Sequence, residues 1–167
     1  MSIEIRQARK EDAEEIVDIW QQGLSIAMGY PPPPGDYVRS FGQRLAEQDD
    51  VFKFFVAVDG HDVVGWVSLT PFRANPLVRE LMAELSAYVR TARARGGVAK
   101  QLLDHTFAHA RRTKLQYIMA FISSANRVAL ITAAQQGFKQ VGTLPQSPKG
   151  TPQPPLTYLT YVVAKED

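Results

Sequence analysis

Between Glu84 and Leu103 the chain reads Glu-Leu-Ser-Ala-Tyr-Val-Arg-Thr-Ala-Arg-Ala-Arg-Gly-Gly-Val-Ala-Lys-Gln-Leu-Leu. Glu84–Val89 predicts a strand, Arg95–Ala99 a glycine-containing turn, and the residues to about Arg112 a helix. Ala99, Leu102, Leu103, Thr106, Phe107 and Ala110 recur at helical spacing and form a core-facing stripe. A strand that turns directly into an amphipathic helix requires a sheet beside that helix and leaves the helix start open. Such a start offers backbone N–H groups without intrahelical partners, together with the positive end of the helix dipole. It therefore favours a bound phosphate or pyrophosphate. Gly96 and Gly97 let the backbone approach a ligand where a Cβ would collide, and Arg93, Arg95 and Lys100 add positive charge at the same mouth. The competing reading is a tight loop with solvated arginines, since neither a Walker A motif nor a G-x-G-x-x-G fingerprint is present.

The remaining pattern surrounds this unit with more sheet and helix. Ile3–Gln7 alternates as a strand, and Ala13, Ile16, Val17 and Trp20 mark a helix over about Glu11–Leu24. Asp36 is suited to cap a second helix through about Glu47, with Val38, Phe41 and Leu45 on one face. Phe52–Val58 and Asp62–Leu69 predict a hairpin turning at Asp59-Gly60. Tyr117–Ile122 predicts a strand, Asn126–Gln136 a helix stopped by Gly137, and Phe138–Thr143 and about Leu156–Val163 two further strands. Pro31–Pro34 and the cluster Pro145, Pro148, Pro152, Pro154 and Pro155 fall in connections, because proline neither continues a helix nor donates to a central ladder. The order mixes antiparallel hairpins with parallel crossovers, an α/β (α+β) arrangement.

Composition narrows the chemistry. A chain of 167 residues is expected to form one domain over residues 1–167, with a core large enough to need no staples. The absence of cysteine excludes thiolate metal sites, iron–sulfur clusters and a cysteine nucleophile. Met1–Glu14 is polar, so no signal peptide is expected, and the apolar runs are too short to cross a membrane. The net charge of +2 gives no argument for nucleic acid, and a cytoplasmic location is the expectation. His105 and His109 lie four apart on a helix but lack a metal-binding motif, so no metal is expected. Trp20 and Trp66 fall on core-facing positions.

Ala94-Arg95-Gly96-Gly97-Val98-Ala99 resembles motif A of the GNAT superfamily of N-acetyltransferases, Q/R-x-x-G-x-G/A, with Ala94 in place of the usual Gln or Arg. The likeness continues through Ile5–Ala13, the family's opening strand and helix start, and through Asn126 spaced from Gly137-Phe138. Leu69-Thr-Pro-Phe-Arg73, Glu84-Leu-Ser86 with Tyr88-Val89, and Val141-Gly-Thr-Leu144 look like the phosphinothricin and methionine sulfoximine N-acetyltransferase branch. The resemblance implies a mixed, mostly antiparallel, twisted sheet of seven strands with about four helices and a splayed central strand pair. It implies acetyl-CoA as co-substrate, held by Ala87, Tyr88, Val89, the loop Ala94–Lys100 (Ala94, Arg95, Gly96, Gly97, Val98, Ala99 and Lys100) and Asn126. It further implies a small primary amine as acceptor, amino-acid-like or xenobiotic, bound near Phe72, Arg73 and Glu84, and a homodimer.

Direct transfer from a thioester to an amine needs a base for the ammonium proton and donors for the oxyanion. By resemblance Glu84 is the candidate base, acting through water, and the backbone N–H of Val89 the candidate oxyanion donor. Otherwise Glu84 is an ordinary strand carboxylate. The family commonly has Tyr or His seven residues after the motif Asn, where this chain has Ala133. The branch's G-x-K-x-G-x-W-x-D segment is replaced by Ser147-Pro-Lys-Gly-Thr-Pro-Gln-Pro-Pro-Leu156. Both departures also fit a non-catalytic acyl-CoA-binding module. A nucleic-acid-binding domain built on Arg90–Lys114 is the third reading and lacks any recognised motif.

Overall fold

The computed structural model describes residues 3–28, 31–145 and 155–165. Seven strands form one sheet: β1 (Glu4–Gln7), β2 (Phe54–Asp59), β3 (Asp62–Pro71), β4 (Met82–Val89), β5 (Tyr117–Ser123), β6 (Lys139–Thr143) and β7 (Leu156–Val162). Their spatial order is β1-β2-β3-β4-β5-β7-β6. Every neighbouring pair is antiparallel except β4 and β5, which run parallel. Four α-helices accompany the sheet: α1 (Ala13–Met28), α2 (Tyr37–Ala46), α3 (Val98–Arg111) and α4 (Arg127–Gln135). Each of the expected strands and helices is present, with bounds shifted by a few residues at most. The strand read from Glu84 begins two residues earlier, at Met82. The replaced proline segment falls largely on residues 146–154, outside the described residues.

Helix ends and turns follow local chemistry. Asp36 and Asn126 cap α2 and α4 by accepting the N–H of Arg39 and Ala129, at 3.0 and 3.1 Å. Gly137, at φ 94°, ends α4, and the N–H of Phe138 reaches back to the carbonyl of Ala133 at 3.0 Å. Phe138 is thereby tucked into the core instead of opening β6.

Residues alternate along each strand, so the sheet divides its side chains between two cores. On one face Phe55, Val67, Leu69, Leu85 and Ile118 pack against Leu102, Leu103, Phe107 and Ala110 of α3. On the other, Phe54, Val56 and Trp66 pack against Ile16 and Ile19 of α1 and Phe41 and Leu45 of α2. Trp66 is 1% exposed and its indole N–H donates to the carbonyl of Ile16 at 3.0 Å, so this tryptophan locks α1 to the sheet. α3 packs close against Gly65 of β3. A Cβ there would lie 3.2 Å from Leu102, Val98 and the carbonyl of Tyr88.

The start of α1 is fixed by an ion pair at the far edge of the sheet. Arg6 on β1 donates both guanidinium arms to Asp12, each at 2.8 Å, and the N–H of Arg9 donates to the same carboxylate at 2.7 Å. Burial alone would raise the Asp12 pKa. The hydrogen bonds from Arg6 and Arg9 and the charge of Arg6 outweigh it, so the carboxyl titrates below its ordinary value. A depressed carboxyl contributes stability that is complete above its unfolded pKa and is lost as pH falls through the folded one. Replacing Asp12 with Asn is therefore expected to cost about 2 kcal/mol at neutral pH. In urea titrations between pH 6 and pH 3, the wild-type midpoint should fall more steeply with acid than that of Asp12→Asn.

Candidate active site

The site is a gap in the centre of the sheet. β4 pairs with β5 only from Met82–Glu84 to Tyr117–Met119, whereas on its other side it stays paired with β3 as far as Val89. Beyond Glu84 the two parallel strands part. In an antiparallel ladder, backbone groups alternate in direction from one residue to the next. The carbonyl of Met82 and the N–H of Arg90 point toward β3, accepting from Phe72 at 3.2 Å and donating to Val64 at 2.8 Å. The even-numbered residues of β4 therefore face β3, and the N–H groups of Ala87 and Val89 face the gap. Among the described residues no strand lies across from these backbone donors at the sheet interior, and a ligand with its own amides can pair with such groups.

The chain leaves β4 through the short turn Thr91–Arg93 and enters α3 at Gly97. Gly97 has φ 71°, a left-handed conformation that other residues adopt at a cost. A Cβ at Gly97 would meet nothing within 4 Å, so the requirement here is backbone conformation, together with whatever approaches from outside. Among the described residues no side chain caps α3, and the first i→i−4 bond runs from the N–H of Gln101 to the carbonyl of Gly97 at 3.1 Å. The N–H groups of Val98, Ala99 and Lys100 are thus open donors at the positive end of a helix. Arg95 and Gly96 are exposed beside them.

The positive charge expected at this mouth is largely committed elsewhere. Arg93 lies 2.6 Å from the buried Asp59 of the β2–β3 hairpin, and Lys100 pairs with Asp104 one turn along α3. Arg90 donates to the carbonyl of Val63 and to Asp18 of α1, the latter at 2.7 Å, with Glu15 at 3.6 Å. Arg95 alone of the three expected cations has no ion-pair partner among the described residues. Arg90 and Arg93 thus clamp the segment before the glycine turn to α1 and to the hairpin.

Glu84 is half-buried at the closed end of the gap, on the face covered by α1 and α2. Thr70 and Met119 are its neighbours across β3 and β5. Tyr88, two repeats further along the same face of β4, packs its ring on Trp66 at 5.0 Å between centroids and touches α1 where Gly23 makes room for it. Burial, and then the nearby charge of Glu84, raise the Tyr88 pKa, so its hydroxyl stays protonated. The side chain of Tyr88 thus faces the groove opposite α3, while Ala87 and Val89 turn their side chains to the other face. Beyond Glu84 the groove continues along an aromatic row. Phe72 stacks on Phe121 at 5.9 Å, and Phe121 meets Tyr158 edge to face at 4.5 Å.

Glu84, Phe72, Tyr88 and Val89 are accordingly brought together around one groove, with Arg73 exposed at its rim. Phe121, Met119 and Tyr158 join them through the pairing of β5 with β4 and β7, a register that no local motif encodes. Asn126 commits its carbonyl oxygen to the α4 cap, which leaves its amide N–H groups out of that bond. Ala133, where a proton donor is common in the resembled family, is 7% exposed and part of the core, so it offers none. His105 and His109 pack edge-on against Phe55 at 4.8 and 5.3 Å, and among the described residues no group of His, Asp and Glu is arranged to hold a metal ion.

A mixed sheet split between two parallel strands, with a glycine-opened helix pointing its N–H groups at the split, defines a class of acyl-transferring proteins. The profile of the acetyltransferase (GNAT) family matches residues 13–138, and the chain belongs to that family. A search of curated protein sequences finds no match. Solved structures with the same fold include a ribosomal-protein-alanine N-acetyltransferase from Brucella melitensis, 26% identical with a TM-score of 0.81 over 95% of this chain and 99% of that one. The yncA protein of Salmonella typhimurium, solved with its cofactor acetyl-CoA, is 23% identical with a TM-score of 0.85 over 100% and 97% of the two chains. A phosphinothricin acetyltransferase from Sinorhizobium meliloti in complex with acetyl-CoA is 18% identical with a TM-score of 0.80 over 98% and 89%.

Proposed function

We propose that this acetyltransferase moves the acetyl group of acetyl-CoA to a primary amine of a small molecule, by direct attack within a ternary complex. The observation that carries the reading is the gap itself. It has open backbone donors at Ala87 and Val89 on one wall, uncapped helix N–H groups at its mouth and Glu84 at its closed end.

These features suit the parts of acetyl-CoA. The first turn of α3, with Gly96, Gly97 and Arg95, suits the pyrophosphate, and the open edge of β4 suits the amide-bearing pantetheine arm. Bound there, the cofactor supplies an acetyl group on a thiolate leaving group. The N–H of Val89 faces the gap, where it can donate to a carbonyl oxygen as charge develops. Glu84 takes, through an intervening water, the proton that the amine must lose to attack. Thiolate departure needs no dedicated acid in this scheme, in keeping with Ala133. Acceptor-side contacts fall to Phe72 and Arg73. The non-catalytic alternative is distinguished by turnover, because a sensor module would bind acetyl-CoA and release no free CoA with any amine. By family likeness the chain is also proposed to work as a cytoplasmic homodimer; sedimentation at micromolar concentration showing only an 18.6 kDa species would count against the dimer.

Two substitutions test the core of this reading. Gly97→Val forces a β-branched residue into a left-handed conformation and narrows the approach to the first turn of α3, so acetyl-CoA should bind more than about tenfold weaker by calorimetry. Glu84→Gln keeps the reach of the side chain and removes its basicity. With an accepted amine, kcat should fall about a hundredfold at neutral pH while acetyl-CoA affinity is nearly unchanged. The deficit should shrink as pH rises and more amine arrives neutral. A mutant that keeps its rate near pH 7 leaves proton removal to solvent.

A further inference from the structure

The two sides of the candidate site belong to opposite faces of the sheet. α3, whose first turn is open to a ligand, packs with Leu102, Leu103 and Phe107 in one core. α1, which walls the groove where Gly23 meets Tyr88, packs with Ile16 and Ile19 in the other. The sheet lies between these cores, so apolar packing gives a ligand at the start of α3 no direct hold on α1. A polar connection does cross, at the end of β4.

Glu15, Asp18 and Gln22 stand three and four residues apart on one stripe of α1, and all three reach the segment around Arg90 and Thr91. Asp18 accepts from Nη1 of Arg90 at 2.7 Å and from the Gln22 amide at 3.1 Å. Glu15 lies 3.6 Å from Nη2 of Arg90 and accepts the N–H of Val63 at 2.9 Å. Arg90 returns to that same residue, donating from Nε and Nη2 to the carbonyl of Val63 at 3.3 and 3.2 Å. Oε1 of Gln22 completes the stripe, 3.4 Å from the N–H and 3.5 Å from the hydroxyl of Thr91. One guanidinium thus spans sheet and helix, a task that uses its fork of donors and that a lysine cannot reproduce. Thr91 opens the turn that leads to Gly97 and α3.

Resting on the acetyl-transfer reading above, we propose that Arg90 is a positioning residue that couples the cofactor seat to the groove wall. A ligand on the first turn of α3 restrains the turn before it, and through Arg90 and Thr91 it restrains the polar stripe of α1. The wall beyond Gln22 then stands fixed against Tyr88 when the acceptor arrives. The coupling is reciprocal, so a firmly held α1 tightens the cofactor in turn. The link is partly open to solvent, with side-chain exposures of 28% for Arg90 and 54% for Asp18. Pairs this exposed add little to global stability, so a role in relative placement can be separated from folding.

The test is hydrogen–deuterium exchange of the full chain with and without saturating CoA, in wild type, Arg90→Met, Arg90→Lys and Asp18→Ala. In the wild type, CoA should slow exchange at the start of α3. It should also slow exchange in residues 18–28 of α1 by about fivefold or more, the low end of coupling between two sites. Arg90→Met should keep the α3 protection and lose most of that in α1, with a melting temperature within about 4 °C of wild type. Arg90→Lys should recover part of the α1 protection, because its charge still faces Asp18 while the bonds to Val63 are gone. Asp18→Ala breaks the link from the helix side, leaves Arg90 on the β3 ladder, and should act like Arg90→Met even where that variant fails to fold. Protection of α1 that survives Arg90→Met or Asp18→Ala, or wild-type protection at α3 with none in α1, overturns the coupling. CoA that protects neither element overturns the cofactor reading together with it.

Discussion

Three residue pairs hold the two halves of the sheet together at its centre. Met82, Ala83 and Glu84 on β4 meet Tyr117, Ile118 and Met119 on β5, and there the parallel ladder stops. Each strand remains bound on its other side, β4 to β3 and β5 to β7, so the twist of the two half-sheets carries the free ends apart. Backbone donors exposed by that divergence cannot be left dry without cost, so they must meet water or a ligand. The remaining features of the site are arranged around this opening. Glu84 marks its apex, α3 points its first turn at its mouth, and the aromatic row from Phe72 to Tyr158 lines one bank.

Holding such an opening in shape requires rigid surroundings. The N–H of Arg90 continues the β3 ladder past the end of β4, while its guanidinium reaches α1. Arg93 does the same for the hairpin through Asp59, whose carboxylate is almost wholly buried. Buried and half-buried ion pairs of this kind contribute geometry more dependably than net stability. Their effect is to fix where the glycine turn sits, leaving the backbone N–H groups of the helix start and Arg95 as the uncommitted donors at that mouth.

Much of this was legible in the sequence because it is encoded locally. The strand-turn-helix unit from Met82 to Arg111, the caps at Asp36 and Asn126 and the stop at Gly137 depend on a few neighbouring residues, and all formed where their spacing predicts. The role of Arg93 was not legible, since its partner Asp59 is brought to it by the fold of the β2–β3 hairpin, whereas Lys100 pairs with Asp104 at the i,i+4 spacing of its own helix. Arg44 looks like any helix-surface arginine until the fold lays its guanidinium over Phe41 and Phe54. Phe121 and Tyr158 likewise meet only because β7 inserts between β5 and β6.

The division of the sheet into two cores has a consequence for how such a protein can diversify. The helix that presents open N–H groups to the gap packs on one face, with Leu102, Leu103 and Phe107, and the helices that wall the groove pack on the other, with Ile16, Phe41 and Trp66. Substitutions on α1, α2 or the Phe72–Val78 loop can reshape what the groove admits without touching the packing beneath α3. Descendants of one ancestor could thus exchange acceptors through a handful of changes on one side while inheriting the other intact. The splayed sheet works as a partition between a half free to explore and a half that cannot.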